Sequence, residues 1–271
     1  MRVSYAEGYH VPLPDGHAFP MGKFPELHRI LLGEGLVSPG DVVEPTQASW
    51  ADLALVHTDE YLTKLRDGTF ERAEIRRLGL PWSRALVRRS RLAVRGTVNA
   101  AWMALEDGVA ANLAGGTHHA FPDHGEGFCV LNDVGVAVKT LRRAGWIQRA
   151  LVVDLDVHQG NGTAEVFADD PETFTLSIHG ERNYPFRKTP SDLDIALADG
   201  TTDGEYLSRL EEGLRSSLDE ARPDLVFYLG GVDVVGGDRF GRLSLTRAGL
   251  QAREELAIRM LRRAGVPITL L

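Results

Sequence analysis

Histidine and aspartate side chains gather where apolar, strand-like runs of the sequence end. The run Gly-Gly-Thr-His-His at 115–119 follows one such stretch, Asp-Leu-Asp-Val-His at 154–158 closes a second, and Gly-Gly-Val-Asp at 230–233 follows a third. In an open α/β sheet, sites form at the carboxyl ends of the strands. We therefore expect these side chains to converge, and their types suit metal-assisted hydrolysis.

The second run has a spacing that suits a metal ion. Asp154, Asp156 and His158 occupy alternate positions, so they point to one face if the strand stays extended. Neighbouring carboxylates repel each other unless a cation lies between them, and zinc accepts both aspartate oxygen and histidine nitrogen. Asp156 and His158 would supply two ligands and Asp233 a third, with one position left for water. The alternative is that Asp154 or Asp156 caps a helix that begins near Gly160, but the convergence of several strand ends favours the metal.

The adjacent His118 and His119 are the candidates for proton transfer. A buried histidine needs hydrogen-bond partners, so two in succession are unusual as plain core residues. One of them would take a proton from a metal-activated water and later return it to a leaving amine. A surface or core pair is the competing interpretation, and the two preceding glycines, which permit close backbone approach, count against it.

The elements that must position these residues alternate along the chain. Nearly continuous apolar runs predict buried strands at 109–114, 150–156, 173–179, 224–230 and 266–271. Amphipathic patterns predict helices at 83–106, 133–144, 203–221 and 246–264. This alternation indicates an α/β fold: a single domain with an open, mainly parallel sheet and helices on both faces. The polar segment 180–202 shows no clear period and is long for an idle loop.

Composition narrows the classes of function. The chain has 271 residues, of which 43% are hydrophobic and 25% charged, with a formal net charge of −8. This acidic balance argues against nucleic acid as a partner. Cys129 is the only cysteine, which excludes a disulfide framework and a cysteine zinc cluster. Without a signal-peptide pattern or an apolar run of about 20 residues, we expect a cytoplasmic protein with no membrane partner.

Several long motifs together carry a family resemblance. Two of them are Gly-Gly-Thr-His-His-Ala at 115–120 and Gly-Phe-Cys-Val-Leu-Asn-Asp at 127–133. Others are Asp-Leu-Asp-Val-His-Gln-Gly-Asn-Gly at 154–162 and Gly-Val-Asp at 231–233, followed by Gly-Gly-Asp at 236–238. The chain resembles the histone deacetylase family of the arginase/deacetylase superfamily along essentially its whole length. Segments 177–180, 183–188 and 191–194 are similar to the class IV branch, in a form typical of bacterial deacetylases.

The resemblance implies roles for the residues around the metal. It makes Asp156, His158 and Asp233 the ligands of a zinc ion, with ferrous iron as the alternative because an oxygen-rich donor set tolerates both. It places His118 and His119 beside the metal-bound water. These assignments coincide with those that the strand-end argument favours.

The resemblance also implies roles for neighbouring residues. Asp154 would hold His118, and Asn161 would face His119. Gly127 and Phe128 would form part of the tunnel around the acyl-lysine stem. A structural potassium or sodium ion would be held by main-chain carbonyls and one hydroxyl, from Asp154, Asp156, His158, Ile178 and Ser177.

Two departures from the family pattern bear on activity. Many relatives have aspartate where this chain has Asn161, and a neutral amide stabilises a histidine cation less. The family's oxyanion-stabilising tyrosine follows a glycine-rich turn, but the sequence stops at Leu271, where that turn is expected. Residues 1–271 would thus form a deacetylase-like catalytic domain without this segment, and we expect the native protein to continue beyond Leu271.

The function predicted from these features is acyl removal, acetyl or longer, from lysine side chains of proteins or peptides. Acylated polyamines are the alternative substrates. A metal-binding protein with weak catalysis is the alternative if the tyrosine is truly absent. An arginase-like enzyme with two metals is a more distant alternative, because it should bring further carboxylates and histidines to the metals.

Overall fold

The apolar runs of the sequence form buried parallel strands in two units of the chain. The computed structural model describes all residues, 1–271. One unit comprises residues 1–146 together with Leu271, and the other comprises residues 147–270. No helix combines the length and the apolar character that crossing a membrane requires.

The first unit has a small parallel sheet and most of the chain's shorter helices. Its elements are, in order, β1 Val3–Ser4, α1 Lys23–Gly33, β2 Val42–Val43, α2 Trp50–Leu53, α3 Asp59–Asp67, α4 Arg72–Leu78, α5 Arg84–Asp107, β3 Val109–Asn112 and α6 Asp133–Arg143. The strand order within this unit is β2-β1-β3, all parallel. Helix α5 is preceded by Ser83, whose hydroxyl accepts a hydrogen bond from the amide of Leu86, and is followed by Gly108 with a left-handed φ of 84°. A serine at the N-cap and a left-handed glycine after the last turn are both common at helix ends.

The second unit is a five-stranded parallel sheet with helical connections. Its elements are, in order, β4 Ala150–Asp154, α7 Asn161–Phe167, β5 Thr173–Gly180, β6 Leu193–Leu197, α8 Asp203–Ala221, β7 Leu225–Leu229, α9 Arg247–Arg263 and β8 Ile268–Leu270. The order within this unit is β8-β7-β4-β5-β6. Every residue of β4 and of β7 is buried, so both faces of the sheet centre are covered. The predicted parallel α/β architecture is confirmed.

Two local expectations were wrong. The strand β4 ends at Asp154, so 154–158 does not stay extended and the alternation argument does not apply to Asp156 and His158. The segment 180–202 contains a strand, β6, which pairs parallel with β5 from Leu193 to Leu197. Only Ile195 and Leu197 of β6 are buried, and this one-sided pattern is too short to stand out in a polar segment.

Candidate active site

Three potential metal ligands meet in the second unit. One ligand atom each from Asp156, His158 and Asp233 lies within 4.8 Å of the others. The Nδ1 atom of His158 is 2.9 Å from Oδ1 of Asp156 and 3.1 Å from Oδ2 of Asp233. The structure therefore brings together the three residues that the sequence singles out as ligands.

Side chain-to-backbone hydrogen bonds, rather than strand alternation, place these residues. Asp154 ends β4, and its Oδ1 accepts the amide of Asp156 at 3.1 Å. Oδ1 of Asp156 in turn accepts the amide of His158 at 2.8 Å. Oδ1 of Asp233 accepts the amide of Val157 at 3.0 Å, which ties the loop after β7 to the loop after β4. The bonds of Asp154 and Asp156 to the amides two residues further on are Asx turns, which bend the chain after β4 and bring the ligands close together.

Gly231 makes this close approach of the two loops geometrically feasible. A Cβ atom at position 231 would lie 2.7 Å from both Cα and Oδ2 of Asp156 and 2.9 Å from Oδ1 of Asp233. A backbone atom at that distance cannot move aside as the end of a flexible side chain can. The sequence motif contains Gly231, but the reason for glycine there is visible only once the two loops are adjacent.

The charges of the cluster fit a cation. Burial alone would lower the pKa of His158, but hydrogen bonds to Asp156 and Asp233 raise it to about 10. Burial raises the pKa of Asp233, as does repulsion from Asp156, while the hydrogen bond from His158 opposes the rise. The cluster thus has an excess of negative charge that a divalent ion would neutralise. One imidazole nitrogen and two carboxylates form a donor set that suits zinc or ferrous iron.

The histidine pair lies in the first unit, in a loop that follows β3. His118 and His119 are 5% and 3% exposed, and their ring centroids are 4.0 Å apart. Gly127 has a φ of 55°, and a Cβ there would lie 2.6 Å from Cδ2 of His119. Gly127 therefore packs against the His119 ring, and any larger residue at 127 would displace it.

Asp133 holds the loop that leads into the histidine pair. Its fully buried carboxylate accepts the amides of Gly116 at 3.0 Å and Thr117 at 2.7 Å. It also accepts the hydroxyls of Thr117 at 2.6 Å and Thr97 at 2.5 Å. Asp133 is the first residue of α6, where the helix dipole favours a carboxylate. Sequence reasoning missed this role, because Asn132-Asp133 looks like an ordinary helix start.

The Asp133→Asn variant is expected to lose about 2–3 kcal/mol of unfolding free energy, since an amide turns donor protons toward groups that are themselves donors. Urea unfolding measures the loss. The Asp169→Asn variant is the control, because Asp169 is exposed, and surface changes of this kind stay within about 0.5 kcal/mol. An Asp133→Asn protein as stable as the native one would show that the loop does not depend on this carboxylate.

Phe128, expected to line a tunnel, has an unusual backbone. Its φ of 67° is in the left-handed region, which bulky residues rarely adopt. The amide of Phe128 donates to the carbonyl of Leu78 at 2.8 Å. The ring lies 5.3 Å from the Phe19 ring. A Cβ at Gly79 would lie 2.8 Å from Cε1 of the Phe128 ring. The ring is therefore held in one place by packing despite the unfavourable φ.

The residues expected at a monovalent cation lie on neighbouring strands of the second unit. Asp154 of β4 is the register partner of Ser177 of β5, and Ile178 follows it. The Ser177 hydroxyl is 3.0 Å from Nδ1 of His179, and both side chains are buried. Asn161, expected to face a histidine, is the first residue of α7 and is 3% exposed. Whether these residues hold an ion or face a histidine stays a prediction.

The segment that precedes β6 has two aromatic rings near the cluster. The Tyr184 ring centroid is 6.4 Å from that of His158 and 6.4 Å from that of Phe186. Phe186 is 88% exposed, an unusual environment for a large apolar side chain. Lys188 donates to the carbonyls of Asn183 at 2.7 Å and Pro185 at 2.6 Å, which braces the segment from within.

Comparisons with known proteins agree with this geometry. A sequence model of the histone deacetylase domain matches residues 17–271, a range with residues from both units. An uncharacterized protein of Picosynechococcus is 48% identical over 98% of this chain and 89% of its own length. Histone deacetylase 2 of Arabidopsis thaliana is 32% identical over 100% of this chain and 73% of its own length. A solved HDAC homolog in complex with SAHA matches with a TM-score of 0.83 at 26% identity, covering 99% of this chain and 78% of that one.

Proposed function

The chain belongs to the histone deacetylase family, and on this basis we propose that it is a metal-dependent amidohydrolase that removes acyl groups from lysine side chains. The observation that carries the proposal is the donor set of Asp156, His158 and Asp233, gathered within 4.8 Å at the ends of two parallel strands. Zinc is the proposed ion and ferrous iron the alternative. When bound, the ion supplies Lewis acidity and lowers the pKa of a water molecule.

The protein's own residues provide the proton transfers. We propose that His119 accepts a proton as water attacks the amide carbon, and that the proton then passes to the leaving amine. His118, positioned by Asp154 as in the related family, stabilises the charge that develops beside it. The amide C–N bond breaks, the water oxygen joins the carbonyl carbon, and the products are a carboxylate and a free lysine amine.

The Asn161→Asp variant is expected to shift the acidic limb of the pH–rate profile upward by about one unit. A carboxylate beside His119 would favour the protonated imidazole and raise its pKa. Because the base must be unprotonated, activity would then be lost at a higher pH on acidification. The measurement is kcat/KM between pH 5 and 9 at constant zinc. A profile that the substitution leaves unchanged would show that Asn161 does not tune the base.

Acyl groups longer than acetyl are the proposed further substrates. The rings of Tyr184 and Phe186 provide an apolar surface next to His158, and an aliphatic chain that covers Phe186 would remove exposed apolar area from water. Octanoyl- and myristoyl-lysine peptides should therefore be cleaved with kcat/KM at least equal to that of the acetyl peptide. Phe186→Ala should reduce cleavage of the long chains and leave acetyl cleavage unchanged. A strict preference for acetyl would refute this proposal.

A turnover screen with defined metal loading distinguishes the substrate classes. Acetyl-lysine peptides and N-acetylputrescine are offered at equal concentration to zinc-loaded protein, and acetate release is measured. The proposal predicts a higher kcat/KM for the peptides. Cleavage of the polyamine alone would reassign the protein to small acyl-amines, and bound zinc without turnover of either substrate would indicate a binding protein.

A monovalent ion is a further part of the proposal. We propose that potassium or sodium is held by carbonyls that follow β4 and by Ser177 and Ile178 of β5, because the two strands place Asp154 opposite Ser177. Such an ion would help to fix the end of β4, from which the loop with Asp156 and His158 departs.

A further inference from the structure

A buried arginine reaches both loops that carry the proposed metal ligands. Arg253, on α9, is 0% exposed and is the largest fully buried side chain. Its Nη1 donates to the carbonyl of Leu155 at 3.0 Å and to the carbonyl of Gly231 at 2.8 Å. A single nitrogen thus bridges two segments that are far apart in sequence.

The two carbonyls belong to the positions that control the cluster. Leu155 directly precedes Asp156 in the loop after β4. Gly231 lies in the loop after β7 just before Asp233, and it is the residue at which a Cβ would meet Asp156 at 2.7 Å. The separation of Asp156 from Asp233 therefore depends on the separation of these two backbone segments. The guanidinium of Arg253 is hydrogen-bonded to both segments.

The guanidinium is itself held in one orientation. Oε1 of Glu254, the next residue along α9, accepts a hydrogen bond from Nε of Arg253 at 3.0 Å. The same oxygen forms an ion pair with Nη2 of Arg253. The other oxygen of Glu254 accepts the hydroxyl of Tyr228, on β7, at 2.5 Å. Burial and the nearby Glu254 raise the pKa of Tyr228, so its hydroxyl remains a donor. Because a guanidinium is a rigid planar group with five donor hydrogens, fixing one edge fixes the direction of the rest.

We propose that Arg253 is a positioning residue of the metal centre, which sets the spacing between the loops of Asp156 and Asp233 and thereby the affinity for the divalent ion. The inference rests on the proposed function only in taking this cluster as the metal site. The bonds from Arg253 to the two loops go to main-chain carbonyls and not to the side chains of the proposed ligands. Arg253 would therefore act on the ligands through the backbone. Replacing groups that orient metal ligands from outside typically weakens metal binding about 10- to 100-fold.

The test measures zinc binding to metal-free protein by competition with a chromophoric chelator, using the metal alone. The Arg253→Met variant removes the donors and keeps most of the volume, and we expect its Kd for zinc to rise at least about tenfold. Arg253→Lys keeps the positive charge beside Glu254 but lacks the rigid fork, so an intermediate rise is expected. Cobalt(II) replaces zinc in a second measurement, and its visible spectrum should change in Arg253→Met because the ligand geometry relaxes.

Arg89→Met is the matched control. Arg89 is also buried, at 2% exposure, and donates to a backbone carbonyl, that of Tyr9 at 3.2 Å, in the other unit. It should lower the thermal unfolding temperature of the metal-free protein as Arg253→Met does, yet leave the Kd for zinc within about twofold. This contrast separates a positioning role from general loss of stability.

Zinc binding distinguishes a wrong metal site from a wrong role for Arg253. If the native protein fails to bind zinc, the proposed metal site is wrong. If the native protein binds zinc and the Arg253 variants bind it within about twofold of native, or if Arg89→Met weakens binding equally, the positioning role is wrong. Should Arg253→Met fail to fold, the Kd and the cobalt spectrum of Arg253→Lys decide by the same criterion.

Discussion

The Asp233→Ala variant is expected to lose both its divalent metal and its deacylase activity. Asp233 is the only proposed ligand from the loop after β7, so its removal leaves Asp156 and His158 as a two-residue site. Metal assistance contributes several kcal/mol to such a reaction, and each 1.4 kcal/mol is a tenfold effect on rate. We therefore expect activity to fall by roughly 10³-fold or more. Metal content after dialysis and acetate release from a peptide are the measurements.

Asp219→Ala is the control for Asp233→Ala, because Asp219 is an exposed carboxylate of α8 outside the cluster. It should keep one bound metal per chain. Full metal content in Asp233→Ala would end the assignment of Asp233 as a ligand.

The His119→Gln variant is expected to bind zinc normally but to be about 10²- to 10⁴-fold slower in kcat, the usual contribution of a general acid–base residue. Glutamine approximates the length of histidine and can hydrogen-bond, but it cannot cycle a proton. The loss should appear in kcat, with KM changed little, because the proposed role is in the chemical step. Steady-state kinetics and metal content are measured on the same preparation.

His10→Gln is the control for His119→Gln, since His10 is exposed on the surface of the same unit. Its kcat should be unchanged. A His119→Gln protein with native kcat would assign the proton transfers elsewhere, and His118→Gln would then be the variant to examine. Loss of zinc from His119→Gln would instead make His119 a residue of the metal site.

The parts of the fold that could be predicted are those with a strong local signal. The strands β4, β5 and β7 are continuous apolar runs, so their existence, parallel pairing and carboxyl ends could be inferred from sequence. Because the carboxyl ends of neighbouring parallel strands meet at one edge of a sheet, it could also be inferred that Asp156, His158 and Asp233 lie close together. Strands β1 and β2 have two residues each, too few to show any period.

The geometry of the cluster could not be predicted, because it depends on hydrogen bonds to the backbone. Strand alternation was the wrong explanation for Asp156 and His158: an Asx turn ends β4 at Asp154, and the carboxylates then accept the amides that follow. Neither the secondary-structure propensities nor the hydrophobic periodicity of the sequence distinguishes an extended strand from an Asx turn at 154–158. Both put the same residues at the same edge of the sheet.

Residues that act over long sequence separations were missed for a related reason. Arg253 is one of many charged residues in the pattern of α9, and its bond to Leu155 spans a separation of 98 residues. Asp133 bonds to Thr97 across 36 residues. Only the folded chain shows that these two charged side chains are buried beside the loops that hold the candidate site residues.

Titration of the metal-free protein with zinc, with acetate release from an acetyl-lysine peptide as the readout, tests whether the cluster is a catalytic metal centre. We expect no release without metal, a linear rise up to one zinc per chain, a plateau beyond it, and no release by Asp233→Ala at any zinc concentration. Equal release by the metal-free protein, or no release with one zinc bound, would contradict it.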